Sequence, residues 1–593
     1  MADNSNMEVT RLFDILQHFS ENHKGAVALC GKENGIWTPY TIENYIEKVN
    51  AISSGLLQLG VKKGDRIASI SNNRPEWNFL DMAILQIGAV HVSIYPTISE
   101  NDYKFILENA GVKLVFVSGW DLLRKITNVL AEYPELNDNV YTFRNLRGYK
   151  HLNQIIELGE ANLDTKLLDE IKASVQPDDT ATLIYTSGTT GVPKGAMLSH
   201  SNILYNMKAI LPIVPMRDDT KVLSYLPLCH VYERMMIYAW QYLGIPVYYA
   251  ESLGTIAADL KDIHPTIFTT VPRLLEKFYD RIIVAGRKLK KPAKRMFFWA
   301  DKVASEYKID NQSFIYRAEL AVARKMVLRK WKAELGGNLD VIVSGGAPIQ
   351  PQISRIFWAA EMPVLNGYGL TETSPVIAVN NFFKNGAKFG TCGPILPGIE
   401  VKISDDGEIL TRGHCLMKGY YNAPELTAEV IDADGWFHTG DIGNIDADGC
   451  LTITGRKKEM FKTAFGKYVV PALIETRFMS ESIIDNIMVV GENRKFAAAL
   501  IVPNFIDLRG WCAKKGIPYT TNEEMVNNND VIAKFKRVVN KYNASLGETE
   551  KIKKFHLVPY EWSVQTGELT PTLKLKRKFI SEKFNREIEK LFD

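Results

Sequence analysis

Residues 185–197 read Tyr-Thr-Ser-Gly-Thr-Thr-Gly-Val-Pro-Lys-Gly-Ala-Met, and the groups in this stretch are those that bind polyphosphate. Thr186, Ser187, Thr189 and Thr190 carry hydroxyls, Lys194 carries a cation, and Gly188, Gly191 and Gly195 allow the backbone to turn N–H groups toward an anion. The order is not that of a Walker A loop, which wants Gly before Lys and Ser or Thr after it; here Pro193 precedes Lys194 and Gly195 follows. Further along, Gly345, Gly346 and Ala347 are small enough for a flat base to lie against the backbone. In Asn366-Gly367-Tyr368-Gly369-Leu370-Thr371-Glu372, Tyr368 can stack on a purine and Thr371 can bind a phosphate. Glu372 is a hard oxygen ligand suited to Mg²⁺, although a lone carboxylate also serves in structural ion pairs. Asp441 ends Asp434-Gly-Trp-Phe-His-Thr-Gly-Asp441 and offers two acceptors to a pair of ribose hydroxyls, with an Asx-turn as the structural alternative. Two basic segments follow, Gly455–Lys462 and Thr570–Lys578; on its own a basic tail such as that around Lys574 is a solvated surface.

The elements that must carry these groups alternate. Ile42 to Leu56 has helical spacing and stops at Gly60, and Ile67–Ile70, Lys113–Val117, Val222–Leu228, Ile267–Val271 and Val341–Ser344 read as strands. Thr180 to Tyr185 is another strand, feeding the hydroxyl-rich loop, and Ile349–Ala360 is a helix. Helices covering a largely parallel sheet are therefore expected. Residues 276–335 are charged and helical, with Arg287, Lys288, Lys290, Lys291, Lys294 and Arg295 followed by Phe297, Phe298 and Trp299. They read as a solvated helical insertion, or as a basic-aromatic patch at 287–299 that rests on an anionic membrane. From about residue 390 the texture becomes short strands and Asp-Gly turns, and 456–593 is a small α+β unit with a hairpin at 488–502, a helix at 531–546 and a strand at 556–558.

This ordered set of motifs resembles the adenylate-forming superfamily over roughly residues 30–580, and DGWFHTGDIG, GRKKEMFK, GKYVVPALIE and Pro227–Arg234 resemble its long-chain fatty acyl-CoA synthetases. The resemblance implies an α/β fold: a large N-terminal domain, 1–455, of mixed sheets layered with helices plus a small β subdomain, and a small mobile α+β C-terminal domain, 456–593, hinged near Lys458. It assigns the ATP phosphates to 186–194, adenine to 345–347 and 366–369, the metal to Glu372, and the ribose to Asp441 with Arg456. It puts His230 near the acyl carboxylate, Lys574 on the α-phosphate, Lys462 on the face presented for thioester formation, and the Gly466 segment along the pantetheine path. ATP, Mg²⁺ and coenzyme A are the implied cofactor and co-substrates. The tail departs from the superfamily's usual Gly-Lys with Leu573 before Lys574, and Val231-Tyr232-Glu233 provides no tryptophan gate of the kind one bacterial branch has.

A length of 593 residues demands more than one domain, and a net charge of +3 gives no pull toward nucleic acid. The six cysteines form no CxxC pair, and Met1-Ala-Asp-Asn-Ser-Asn has no signal-peptide character, so a cytoplasmic protein, with peripheral contact at the inner face of a membrane in the patch reading, is expected. The uncharged stretches Met82–Ile98 and Met235–Ala250 are too short to span a bilayer and read as buried core. The expected reaction is ATP-dependent activation of a long-chain fatty acid to acyl-AMP, then transfer to CoA. A medium-chain or aryl acid ligase, or an acyl-AMP ligase loading a carrier protein, are the alternatives. A non-catalytic nucleotide- or lipid-binding module is argued against because Lys194, Glu372, Asp441, Arg456 and Lys574 are all present.

Overall fold

A computed structural model describes residues 8–187, 192–570 and 574–593. Among these residues the chain as far as Val379 builds two sheets rather than one. The seven-stranded sheet runs Lys150–His151, Val140–Thr142, Val112–Val117, Arg66–Ile70, Val90–Ile94, Thr180–Ser187 and Pro193–Ser199, parallel except for the last strand. The eight-stranded sheet is parallel through Val364–Gly369, Val341–Ser344, Ile267–Thr270, Val222–Ser224, Val247–Tyr249 and Val27–Glu33, with an antiparallel strand at each edge. The strands alternate with helices as their spacing predicts, but spacing carries no information on which sheet a strand joins.

The helix Val231–Tyr242 bridges the two sheets, and every residue from Val231 to Gln241 is buried. The Tyr232 hydroxyl donates to Val343 O of the eight-stranded sheet at 3.1 Å. Arg234 reaches the other way, donating to Thr182 at 2.7 Å and pairing with Asp81 of the helix Pro75–Gln86. Asp81 also accepts from Tyr238 at 2.6 Å and contacts His91 at 2.6 Å. An unpaired buried charge would be costly, so these partners let a polar node hold the two layers together. The stretches Met82–Ile98 and Met235–Ala250 each resolve into the end of a helix and a strand. Among the described residues no helix is long and apolar enough to cross a membrane.

A four-stranded antiparallel meander, Ile399–Ile403, Glu408–Gly413, Phe437–Ile445 and Leu451–Arg456, follows. The chain then passes through a short 3₁₀ turn at Lys457–Glu459. Beyond it, the hairpin Ile484–Val490 with Ala497–Pro503 is joined in parallel by Ile552–Leu557, and helices including Pro471–Phe478 and Asn529–Asn543 close over an apolar core of its own. The charged segment after residue 271 is helical: Pro272–Lys288, Ala293–Ser305 and Phe314–Ala323. Phe297 is buried, and Phe298 and Trp299 pack against the same core, so the aromatics of this segment face inward.

Candidate active site

The strands Thr180–Ser187 and Pro193–Ser199 are the two arms of a hairpin that sets Thr186 directly opposite Lys194. Gly188, Thr189, Thr190 and Gly191, expected at the phosphates, lie outside the described residues; Ser187 pairs through its backbone with Pro193. A side chain at Gly195 would come within 2.9 Å of the Tyr185 ring, so close packing, not turning, requires that glycine. The segment at 417–421 pairs with the second arm: Tyr421 N donates to Gly195 O at 2.8 Å, and Met197 N to Gly419 O at 3.0 Å. This pairing places Tyr420 between two of the expected ligands. Its hydroxyl donates to Glu372 Oε1 at 2.8 Å, and Lys194 Nζ sits 5.2 Å from its ring centroid.

Three strand ends converge on this point. Thr186 is the last residue but one of Thr180–Ser187, Gly345 follows Val341–Ser344, and Thr371 and Glu372 follow Val364–Gly369. In parallel sheets the crevice beyond the carboxyl ends of strands is the usual place for a ligand. Gly345, Gly346, Gly367, Tyr368, Gly369, Thr371 and Glu372 line one continuous cleft with Thr186 and Lys194. Ala347 and Asn366 do not line it. Asn366 is buried behind the wall, donating to Thr391 O at 3.3 Å, while its Oδ1 and the hydroxyl of neighbouring Ser344 are buried without a partner. Asp441 is also behind the wall, 3% exposed, and Arg456 Nε reaches it at 2.9 Å from the cleft.

Lys574 enters the cleft from the C-terminal unit. Its side chain is exposed within the cleft, yet protein surrounds it at longer range. That burial, then the charge of Arg456, push its ammonium down to about 8, with Asp441, Glu459 and Glu372 acting the other way. His230 caps the helix Val231–Tyr242, and its Nδ1 accepts from Tyr232 N at 3.1 Å. Burial, then the nearby Lys574 charge, lower its pKa to about 4. The imidazole is therefore neutral at pH 7, and with Nδ1 accepting, its proton sits on Nε2 as a fixed donor. Lys458 lines the cleft within the 3₁₀ turn. Lys462 does not; it lies on a small hairpin, Phe461–Lys462 with Tyr468–Val469, with its ammonium 4.8 Å from the Tyr468 ring, and Gly466 (φ +73°) is in the turn.

The cleft holds about 1490 Å³, above the roughly 300–1,000 Å³ of an ordinary small-molecule pocket. Its lining goes beyond the polar site, to an apolar arm and to residues of the C-terminal unit between Pro471 and Phe592. Tyr232, Met236 and Trp240 line the arm at i, i+4 and i+8 of one helix, facing Ile267, Val341 and Leu365 of the eight-stranded sheet, and Ile210, Ile213 and Val214 lie along it. Of the other apolar residues around His230, Leu226, Leu228, Met235 and Ile237 belong to the packed core. Tyr420 and the Ile213–Val214 turn are the parts of the site that the sequence did not single out; a Gly-Tyr-Tyr-Asn run at 419–422 is a signal too short to stand alone.

Residues 16–421 match the family model described as AMP-binding enzyme, and residues 460–593 match that of the AMP-binding enzyme C-terminal domain. The chain belongs to the AMP-binding enzyme family. Among its relatives, the long-chain-fatty-acid–CoA ligase FadD15 of Mycobacterium tuberculosis is 34% identical over 94% of this chain and 93% of its own length. Long chain acyl-CoA synthetase 7, peroxisomal, of Arabidopsis thaliana is 32% identical over 91% of this chain and 80% of its own. The same fold is seen in the adenylation domain of a carboxylate reductase from Mycobacterium chelonae, with TM-score 0.77 and 21% identity over 99% of this chain and 92% of that one. A fatty acyl CoA synthetase of Mycobacterium tuberculosis superposes with TM-score 0.60 at 20% identity, covering 98% and 99% of the two chains.

Enzymes of this family use ATP, CoA and Mg²⁺. Among the described residues no group of three or more His, Cys, Asp or Glu could cage a metal. Mg²⁺ keeps several waters and takes one or two carboxylates plus substrate phosphate oxygens. Glu372 accepts from Tyr420 and lines the cleft with Thr186, and its carboxylate is of the kind such an ion takes.

Proposed function

We propose that this chain converts a long-chain fatty acid, ATP and CoA to acyl-CoA, AMP and pyrophosphate in two steps. The observation that carries the reading is the meeting of Lys574 and the neutral His230 where the polar cleft opens into the apolar arm. The curated relatives named above support the same substrate class.

In the first step a carboxylate oxygen attacks the α-phosphorus and the bond to pyrophosphate breaks. Negative charge gathers on the phosphoryl oxygens, so the useful groups are preorganised cations and donors. Lys574 serves the α-phosphate, and Lys194 and Thr186 serve the outer phosphates. His230 donates Nε2–H to the incoming carboxylate and orients it; with its pKa near 4 it does not compete as a base for protons at pH 7. Glu372 would hold Mg²⁺ together with the phosphates, and the ion would supply further charge neutralisation there. Arg456 and Asp441 hold the ribose, Tyr368 and Gly345–Gly346 the base, and the unpartnered oxygens of Asn366 and Ser344 add polarity behind it. In the second step the CoA thiol attacks the acyl carbonyl and AMP leaves. Lys462 and the Gly466 turn are assigned to that step, which needs rotation of the C-terminal unit, 456–593, about Lys458 relative to 1–455.

Contact with an anionic membrane is part of the proposal. Lys288, Lys290, Lys291 and Arg295 are exposed. Since Phe297 to Trp299 face inward, the apolar contact falls to Leu289, Met296 and the exposed Phe314 and Ile315. Pyrophosphate release with palmitate, octanoate and benzoate, each with and without CoA, tests the reading. The expected order is palmitate above octanoate above benzoate, with acyl-CoA formed only when CoA is present. Benzoate above palmitate, or release without any thioester, refutes it.

A further inference from the structure

Lys574 reaches the cleft only while the C-terminal unit keeps one orientation, and something must hold that orientation. Among the described residues, and apart from the pairs that Arg456 and Lys457 make at the hinge itself, two ion pairs join 8–455 to 460–593, and both start from one helix, Pro272–Lys288. Arg273 pairs with the Asp485 carboxylate, and its Nη2 also donates to Asp485 O at 2.9 Å. Glu276 steadies the guanidinium from the next turn at 3.3 Å, and Gln350 donates to Glu276 at 3.3 Å. Arg287 contacts both oxygens of Asp507, at 3.1 and 3.0 Å, and Ser482 at 3.4 Å. The two arginines are fourteen residues apart, so they share a helix face about 21 Å apart along the axis. Asp280 stands halfway between them on that face. Burial raises its pKa to about 6, and the charges of Asp485 and Asp507 contribute to the rise while the two arginines oppose it. The face therefore lies against the C-terminal unit along its whole length.

We propose that Arg273 and Arg287 are positioning residues, a two-point latch that holds the C-terminal unit in the orientation presenting Lys574 to the cleft and that must open before thioester formation. This rests on the two-step reading above. The latch is also economical for switching. Arg287 is 40% exposed, so its pair with Asp507 is weak enough to break and re-form in every cycle, while the Arg273–Asp485 pair, 21% and 20% exposed, is the firmer of the two points. A hydrophobic seam of equal length would hold the unit in one state.

The test compares two half-reactions in the full chain: pyrophosphate exchange with palmitate, and thioester formation from preformed palmitoyl-AMP with CoA. In the double variant Arg273→Gln/Arg287→Gln, exchange falls about tenfold while thioester formation holds or rises, as expected for losing two ion pairs of modest strength. The charge reversal Arg287→Asp with Asp507→Arg restores the wild-type ratio relative to Arg287→Asp alone. Equal loss in both half-reactions, an unmoved ratio, or no restoration by the reversed pair overturns the latch. A wild-type chain that shows neither half-reaction refutes the two-step reading instead. Cleavage by a lysine-specific protease at the 457–459 turn gives a readout independent of activity: it quickens in the double variant if the latch exists and is unchanged if it does not.

Discussion

The hydroxyl of Tyr368 donates to Asp441 Oδ2 at 2.7 Å, while Arg456 Nε holds Oδ1 at 2.9 Å. The aspartate expected to grip a ribose is thus already oriented by the aromatic ring expected to stack on its base. On the proposed reading a ribose hydroxyl would reach this acceptor past the cleft wall, and the ring cannot move without disturbing it. Asp441→Asn removes the charge from this pair of contacts, and KM for ATP should rise roughly 10- to 100-fold, the loss of one charged hydrogen bond. Tyr368→Phe, which keeps the ring and frees one carboxylate oxygen, should cost less. Titration calorimetry with ATP checks both; unchanged affinity in Asp441→Asn removes it from the ribose.

Lys574→Ala should slow pyrophosphate exchange by roughly 10²–10³, the effect of deleting one preorganised donor. Thioester formation from preformed acyl-AMP should survive, because that step is proposed to use another orientation. The pH profile gives a second handle. With its pKa brought down to about 8, Lys574 loses its proton in the range where enzymes are easily assayed, so kcat/KM for adenylation should fall as pH rises through about 8. Stability runs the other way. A lysine whose pKa is lower in the folded state costs the fold below pH about 8, and that cost disappears as pH rises toward the unfolded value of about 10.4. Activity and stability moving in opposite directions above pH 8 distinguishes loss of a cation from loss of the fold.

Much of the polar site could be read from the chain because its chemistry is local. Thr186 and Lys194 lie in one hairpin, and Thr371 and Glu372 in one turn, so residue type and order carry the information. Tyr420 could not be read this way. It meets Glu372 and Lys194 only because residues 417–421 pair with a strand more than two hundred residues earlier. The apolar arm was half visible. Tyr232, Met236 and Trp240 share a helical stripe that lines the cleft, but the same run holds Met235 and Ile237, which do not line it. Ala347 and Asn366 belong to the same motifs but lie outside the cleft lining, a distinction that residue type and order do not carry.

Chain length should depend on the arm. Each CH₂ that it buries contributes up to ~0.8 kcal/mol, about fourfold in kcat/KM, until the arm ends. Met236→Trp narrows it midway along the stripe and should depress palmitate while sparing octanoate. Trp240→Ala should do the reverse and favour longer acids. A series of saturated acids from eight to twenty carbons reads the result, and parallel losses at every length would mean that neither residue bounds the acyl chain.

Lys462→Ala should leave pyrophosphate exchange intact and impair transfer to CoA. The side chain lies outside the cleft in this orientation, above Tyr468 on its own hairpin. Its proposed work therefore begins only after rotation. Single-turnover thioester formation from acyl-AMP measures it, and a normal rate in this variant separates Lys462 from the reaction.

The polar node beneath His230 should prove structural. Burial opposes charge on Asp81, but Arg234 and the His91 contact outweigh it and keep the carboxyl below its ordinary range. Asp81→Ala leaves Arg234 buried with no counter-charge, in a helix that also carries His230 and the wall of the arm. Breaking a buried pair from one side costs about 3–5 kcal/mol, so the variant should unfold at markedly lower denaturant concentration. Replacing both partners by apolar residues of similar size, Asp81→Leu with Arg234→Met, should cost less than Asp81→Ala alone, because no charge is left stranded. The sign with pH follows from the lowered acid. The node's contribution is complete above the unfolded carboxyl value of about 3.9 and is lost as pH falls through the lower folded value. Acid unfolding should therefore begin at a higher pH once Asp81 is gone, and coincident acid-unfolding curves for wild type and Asp81→Ala would show that the node contributes nothing to holding the two sheets together.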